Sequence, residues 1–338
     1  MLGMTRAAYR TQHRAMALQA ALFGEALRLV ATRRIRRRDA SLGRALAVRF
    51  EALMARDLAN VEAGLYPRRL LFQMPVARYA RRLPALLGDL PRVALRARRR
   101  DFRDLPAEVD LAVYPPYYRR NFHWQTDGYL SRRSAELYDL GVELLFGGTA
   151  DVMRRQVIPP VSRLLAAEPR AGARLVDLAC GTGRTLRQIA VAHPDLALLG
   201  VDLSRYYLDE ARGVLRHRRA TLAVANAEAM PLASGSVDAV TCVYLLHELP
   251  LDARRRVLAE ARRVLRPGGV LAIEDACQPA DSPELAGALA QFQRDLHEPY
   301  FKSYLQHPIA DLAGEAGFEV ESVEPHLVSV VVVARANG

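Results

Sequence analysis

The chain has 338 residues, 51% of them hydrophobic, with three cysteines and a formal net charge of +11. That length suits one large domain plus an accessory region, and so few scattered cysteines exclude a disulfide framework. The charge is uneven: residues 1–120 carry 25 Arg and Lys against 10 Asp and Glu, a net of +15, and the remainder carries 23 against 27, a net of −4.

Residues 5–31 read as a helix. Ala15, Leu18, Leu22, Ala26 and Leu29 recur at intervals of three and four, with Arg6, Arg10, Arg14 and Arg28 on a neighbouring stripe. The run Arg33-Arg34-Ile35-Arg36-Arg37-Arg38 follows. Two readings stand side by side. Residues 5–38 could rest on an anionic membrane surface, giving peripheral contact at the inner membrane of a cytoplasmic protein. Equally, the helix could pack on the catalytic domain with its basic face in water. It cannot span a bilayer, because Gln19, Glu25 and Arg28 interrupt the apolar run. A cleaved targeting segment is a third option, against which the absence of serine before Ser41 counts.

Residues 40–110 look helical and irregular, with basic clusters at Arg68-Arg69, Arg81-Arg82 and Arg98-Arg99-Arg100. They show no zinc spacing, no RNP-like aromatic strand and little aromatic interleaving, which argues against a nucleic-acid partner. From Tyr114 the character changes. Tyr114, Tyr117, Tyr118, Phe122, Trp124, Tyr129 and Tyr138 crowd around His123 and Asp127. Such a segment suits a lid over a planar or apolar substrate, with Tyr118, Trp124 and Tyr129 as contacts. The same aromatics could instead dock the N-terminal region onto the core. Residues 1–113 are thus expected as a basic, mainly helical extension, and 114–160 as a lid or connector.

The segment Leu175 to Thr185 reads L-V-D-L-A-C-G-T-G-R-T: an apolar strand, an acid, a glycine turn and a helix start. Some twenty residues on, Leu199-Gly200-Val201-Asp202 is a second strand ending in an acid. That pairing marks a nucleotide-like ligand across the carboxyl ends of parallel strands. A dinucleotide fingerprint would need a third glycine where Leu186 stands, and Asp177 before the turn would repel a pyrophosphate. An acid there suits a ligand carrying an ammonium group.

This arrangement resembles motif I of class I S-adenosylmethionine-dependent methyltransferases, [DE]-x-G-x-G-x-G, with Ala179 in place of the first glycine. The resemblance implies S-adenosyl-L-methionine as cofactor, met by Asp177, Ala179, Gly181 and Gly183. It places Asp202 on the ribose hydroxyls and Leu203 on the adenine face. Asn226, often Asp in the family, would accept from the adenine amine through its carbonyl oxygen. Ala227 and Val243 complete the expected cofactor set.

Further strands are expected at Thr221–Ala225, Ser236–Tyr244 and Val270–Glu274, with a helix from Asp252 to Leu265 stopped by Pro267-Gly268-Gly269. The closing segment Phe318 to Ala334 carries a last strand, Leu327–Val333. The expected fold is α/β, a Rossmann-like seven-stranded methyltransferase sheet over 161–338 with an antiparallel hairpin edge. The domain resembles the branch that includes the ubiquinone and menaquinone C-methyltransferases. Residues 114–335 also resemble a group of bacterial and plastid methyltransferases.

Methyl transfer from a sulfonium is an SN2 step, so a base is needed only when the nucleophile arrives protonated. His247, after the fourth strand, is the first candidate, followed by His123 and His297; each could equally be a hydrogen-bonded structural histidine. The insertion Phe292–Tyr304 adds His297, Glu298, Tyr300 and Tyr304 as pocket candidates. Cys180, Cys242 and Cys277 read as small buried hydrophobes, and no metal is expected. The expected acceptor is a small apolar or aromatic molecule, reached from a membrane surface if the N-terminal helix lies on one. The rivals are RNA or protein held by the arginines, and a non-catalytic cofactor-binding subunit. Oligomeric state is not legible.

Overall fold

A computed structural model describes residues 6–17, 40–295 and 297–337. The N-terminal region is helical: α1 (residues 6–17), α2 (Ala40–Glu62) and α3 (Val76–Arg99). Before the sheet come α4 (Arg132–Leu145), α5 (Ala150–Arg154) and α6 (Ile158–Ala167), the last running past residue 160. The sheet then begins with β1 (Arg174–Leu178), and α7 (Arg184–Ala192), β2 (Ala197–Asp202), α8 (Arg205–Leu215), β3 (Ala220–Val224) and β4 (Val237–Val243) follow in turn. The chain closes through α9 (Leu251–Val264), β5 (Leu265–Ala276), α10 (Ala286–Asp295), α11 (Phe301–Gln306), α12 (Ile309–Glu315), β6 (Phe318–His326) and β7 (Ser329–Ala336).

The seven strands run in the order β3-β2-β1-β4-β5-β7-β6. The first five are parallel, and β7 pairs antiparallel with both β5 and β6. Leu175, Val176, Asp177 and Leu178 of β1 are all buried, so the strand shows no polar alternation. Helices cover both faces, as parallel strands require. Strand order reverses between β1 and β4, and a crevice opens there beyond the carboxyl ends.

Two boundaries differ from the sequence reading. The helix expected to end at Leu265 stops at Val264, and Leu265 already pairs with Val237. Residues 266–269 bulge out before Val270 pairs with Ala239. A Cβ on Gly269 would come within 2.9 Å of the carbonyl oxygens of Arg266 and Asp238, so only glycine fits this close approach. The last strand begins at Ser329 rather than Leu327, because Leu327 (φ +45°) turns the hairpin.

Within residues 6–17 the helix packs on the protein, and Ala15 is the one member of the expected stripe that falls there. Tyr9 and His13 are buried, whereas Ala15 is exposed. Tyr9 donates its hydroxyl to Asp57, and His13 Nδ1 lies 3.0 Å from the carbonyl of Gly148. Arg6 bonds Glu62, and Arg14 and Arg10 face Glu51 of α2. A stripe of aliphatic residues alone misses such a face, because Tyr and His bury their bodies while their polar tips find partners. Leu18, Leu22, Ala26, Leu29, Arg28 and Arg33–Arg38 lie outside the described residues. Among the described residues, no helix is long and apolar enough to cross a membrane.

Asp57 is the node of this packing. Arg155 donates to it twice, from Nε at 2.6 Å and Nη2 at 2.5 Å, and Tyr66 donates its hydroxyl at 2.5 Å. Burial alone would raise the Asp57 carboxyl, but the Arg155 guanidinium outweighs it and holds the group below its ordinary value.

Candidate functional site

The crevice at the β1–β4 reversal is a cleft of about 780 Å³ counted to its open mouth. One half is built on the turn after β1. Ala179 (φ +49°) and Gly181 (φ +53°) hold left-handed backbone in the turn that brings the Cys180 and Gly181 amides to the end of β2. Asp202 Oδ2 accepts from the Gly181 amide at 2.9 Å, and Oδ1 accepts from the Ser204 amide at 2.7 Å. Burial pushes this carboxyl up to about 6. A Cβ built on Gly181 meets no protein atom closer than 3.9 Å, so the space beside it belongs to the cleft. Leu203, Asn226, Ala227 and Val243 also line this half. Asn226 Oδ1 accepts from the Glu228 amide at 3.0 Å, a local turn that fixes the side chain.

Two expected cofactor residues are not on the cleft wall. Asp177 lies inside the sheet, where Oδ1 accepts from Thr241 Oγ1 at 2.6 Å and burial pushes the carboxyl up to about 7. Gly183 is a packing glycine: its Cβ would sit 3.1 Å from Ala211 Cβ and Leu215 Cδ1 of α8.

The other half is aromatic. Tyr118, Phe122, Tyr129, Tyr138, Tyr207 and Tyr244 line it, with Glu248 as its acid. Tyr129 stacks on Tyr118 at 5.8 Å and meets Tyr207 edge-on at 5.3 Å. The roof is tied down by three bonds from the sheet side. Ser204 Oγ donates to the Tyr129 carbonyl at 2.5 Å, Thr182 Oγ1 donates to Asp139 at 2.7 Å, and Tyr117 donates to Glu228. Of the four residues expected at the substrate, Tyr118 and Tyr129 are on this wall. Trp124 and Tyr300 are not among the lining residues. The Trp124 ring packs on His297 at 4.9 Å, and the Tyr300 ring lies under the Arg120 guanidinium at 5.3 Å. His123 (φ +52°) and Trp124 (φ +59°) are consecutive left-handed residues; the His123 ring reaches Glu248 while the Trp124 ring meets His297.

The structure gathers the rings of two of the three candidate histidines and turns the ring of the third elsewhere. His247 Nδ1 lies 2.6 Å from Asp275 Oδ1, and its Nε2 lies 3.8 Å from Glu298 and 4.0 Å from Glu248. His123 Nε2 lies 3.1 Å from Glu248 Oε1 and Nδ1 lies 2.9 Å from Glu298 Oε1. Burial disfavours charge on either ring, but the facing carboxylates outweigh it and push His123 up to about 10 and His247 up to about 9. The His297 carbonyl accepts from the His123 amide at 3.2 Å, but its ring turns away and stacks on Phe102 at 5.0 Å. His247 itself does not line the cleft; its neighbour Glu248 does, and accepts from the Tyr129 hydroxyl. Sequence reading gave Glu248 and Asp275 no role. The signal was an acid beside a histidine after β4 and a second acid at the end of β5. Cys180, Cys242 and Cys277 are free and buried.

Residues 175–269 match the sequence profile of a family described as a methyltransferase domain. The chain carries a class I S-adenosylmethionine-dependent methyltransferase domain. Its matches include the O-methyltransferase resE of Aspergillus sclerotiorum, 33% identical over 44% of this chain and 56% of that protein. They also include the ubiquinone/menaquinone biosynthesis C-methyltransferase UbiE of Syntrophotalea carbinolica, 35% identical over 48% of this chain and 65% of that protein. The chain thus spans between half and two thirds of the length of these relatives. Among solved structures, the CurJ carbon methyltransferase aligns with a TM-score of 0.47 at 19% identity, covering 61% of this chain and 60% of that one.

The cofactor of this domain is S-adenosylmethionine. The residues fit it. The side-chain-free space at Gly181, the Asp202 carboxylate at the end of β2 and the apolar Leu203 and Ala227 form one continuous wall.

Proposed function

We propose that this protein transfers the methyl group of S-adenosylmethionine to a small acceptor with an aromatic or apolar body, bound against the tyrosine wall. The observation that carries this is the two-sided cleft: a motif I turn with Asp202 on one side, and Tyr118, Phe122, Tyr129, Tyr138 and Tyr244 on the other. When bound, the cofactor supplies a sulfonium-activated methyl group that an acceptor atom takes by in-line displacement. The protein's work is then to orient the acceptor and exclude water. Ala179, Gly181, Asp202, Leu203 and Asn226 hold the cofactor. The tyrosines stack on the acceptor, and Glu248, steadied by Tyr129 and His123, is the polar group that meets its reacting end.

The names of the relatives include both O- and C-methyltransferases, which fits a pocket that fixes the acceptor's body rather than one atom type. A small acceptor also suits where the arginines go. Arg96 is buried on Asp104, Thr126 and the Trp124 carbonyl, and Arg82 is held by Glu210. Such arginines are not available to phosphates. Likewise Arg6 and Arg14 are engaged by Glu62 and Glu51, so residues 6–17 lend no support to a membrane-surface role.

Asp202→Ala tests the cofactor half. It removes the acceptor of the Gly181 and Ser204 amides, and S-adenosylmethionine affinity by calorimetry is expected to fall at least about tenfold, the loss of one charge-assisted bond. Unchanged affinity would move the cofactor elsewhere.

A further inference from the structure

Behind the tyrosine wall, segments far apart in sequence bring two imidazoles and three carboxylates together. His123 comes from the lid, and His247 and Glu248 from the turn Leu246–Glu248 after β4. Asp275 comes from the end of β5, and Glu298 from the loop before α11. One ligand atom each from His123, His247 and Glu248 lies within 4.8 Å of the others. Nitrogen and oxygen donors bind such an ion at about 2.0–2.2 Å, so inward shifts of about half an ångström would close the set.

Two further observations point to a cation. First, each imidazole has a carboxylate at its other nitrogen: Asp275 lies 2.6 Å from His247 Nδ1, and Glu298 lies 2.9 Å from His123 Nδ1. That is the arrangement that fixes the tautomer and orientation of metal-binding histidines. His123 Nε2 is thereby turned toward Glu248 at 3.1 Å, and His247 Nε2 faces both Glu298 at 3.8 Å and Glu248 at 4.0 Å. Second, the Glu298 side chain is 0% exposed: its Oε1 faces the His123 and His247 rings at 2.9 Å and 3.8 Å, and its Oε2 has no hydrogen-bond partner among the described residues. A buried carboxylate met on one side only is costly unless positive charge stands close by.

We propose that His123, His247 and Glu248 bind one divalent first-row transition-metal ion at the acceptor end of the cleft, with Asp275 and Glu298 as positioning residues behind the histidines. Two imidazoles and one carboxylate favour ions such as Zn²⁺, Fe²⁺, Mn²⁺ or Co²⁺ over Mg²⁺ and Ca²⁺, which prefer all-oxygen sites. Glu248 lines the cleft, so the open side of this set faces the acceptor. Resting on the methyl-transfer reading, this narrows the acceptor to molecules that present an oxygen or sulfur donor to the ion.

The test uses the full-length protein, stripped with a chelator and titrated with Co²⁺ while the visible d–d absorption is followed. Retained Zn²⁺ is counted separately by mass spectrometry after dialysis. The expected result is one ion per chain. His247→Gln and Glu248→Gln should each weaken Co²⁺ binding at least about tenfold, and Glu298→Gln by roughly 10- to 100-fold. His193→Gln, at a histidine bonded to Ser162 well away from the cluster, should leave Co²⁺ binding unchanged. S-adenosylmethionine affinity reports that each variant is folded. No bound ion, or equal Co²⁺ affinity in wild type, His247→Gln and Glu248→Gln, overturns the site; the two histidines then stand as imidazolium partners of the glutamates. Methyl transfer that persists in excess chelator, in a protein that binds no ion, would remove the metal and leave the proposed function standing. Co²⁺ binding with no S-adenosylmethionine binding would do the reverse.

Discussion

Glu248 stands at the seam between the aromatic half of the cleft and the histidine pair, with Tyr129 on one side and His123 on the other. Its carboxylate is the group through which anything arranged behind the wall can act on an acceptor. Glu248→Gln keeps the shape and removes the charge. Methyl transfer should fall by about a hundredfold or more, the usual contribution of a positioned ionised group, with S-adenosylmethionine affinity unchanged within about twofold. Equal losses in both would make Glu248 a structural residue instead. At the residue scale, the sequence is most legible where a motif fixes geometry. Ala179, Gly181, Asp202, Leu203, Asn226, Ala227 and Val243 all line the cleft, because strand ends and tight turns leave little freedom. Asp177 and Gly183 of the same motif lie behind that wall, the one bonded to Thr241 and the other packed on α8. The same motif contains residues that support the turn from behind, and sequence spacing does not separate support from contact.

At the scale of elements, helix α1 is held by a node that charge counting did not reveal. Asp57 accepts from Tyr9, Tyr66 and twice from Arg155, all of them buried. Asp57→Ala would leave the Arg155 charge without its partner in the interior, at a cost of about 3–5 kcal/mol, seen as a lowered denaturant midpoint with little change in slope. A loss below about 1 kcal/mol would mean that water reaches Arg155. The strands of the sheet were legible because parallel, doubly covered strands make apolar runs that end in glycine turns. The N-terminal packing was not, since its contacts are Tyr, His and Asp side chains reaching across more than 100 positions, as in Tyr9 to Arg155. The strand-like start at Leu265 was also hidden. Proline and two glycines read as a helix stop followed by a loop, whereas pairing with Val237 begins before them.

Across the whole molecule, the N-terminal helix and the segment ahead of the sheet share a pH-sensitive contact at His13. Burial, helped by the Arg155 charge, pushes this imidazole down to about 4. Its folded pKa is below the ordinary value of about 6.5, so the fold favours the neutral ring. The stabilisation is fully present above pH about 6.5 and is lost as pH falls from there toward 4. His13→Gln removes the titration. Wild type should therefore lose roughly 1–3 kcal/mol relative to the variant between pH 7 and 4, read from paired denaturation curves. Parallel curves would show that His13 is solvated.

The central claim, methyl transfer to a small lipophilic acceptor, is tested most directly by incubating the protein with radiolabelled S-adenosylmethionine and an extract of its source cells, then partitioning between water and organic solvent. The account predicts enzyme-dependent label in the organic phase, in a small molecule that mass spectrometry can identify. Label confined to nuclease- or protease-sensitive material would contradict it and make the arginine-rich N-terminal region a macromolecule-binding arm.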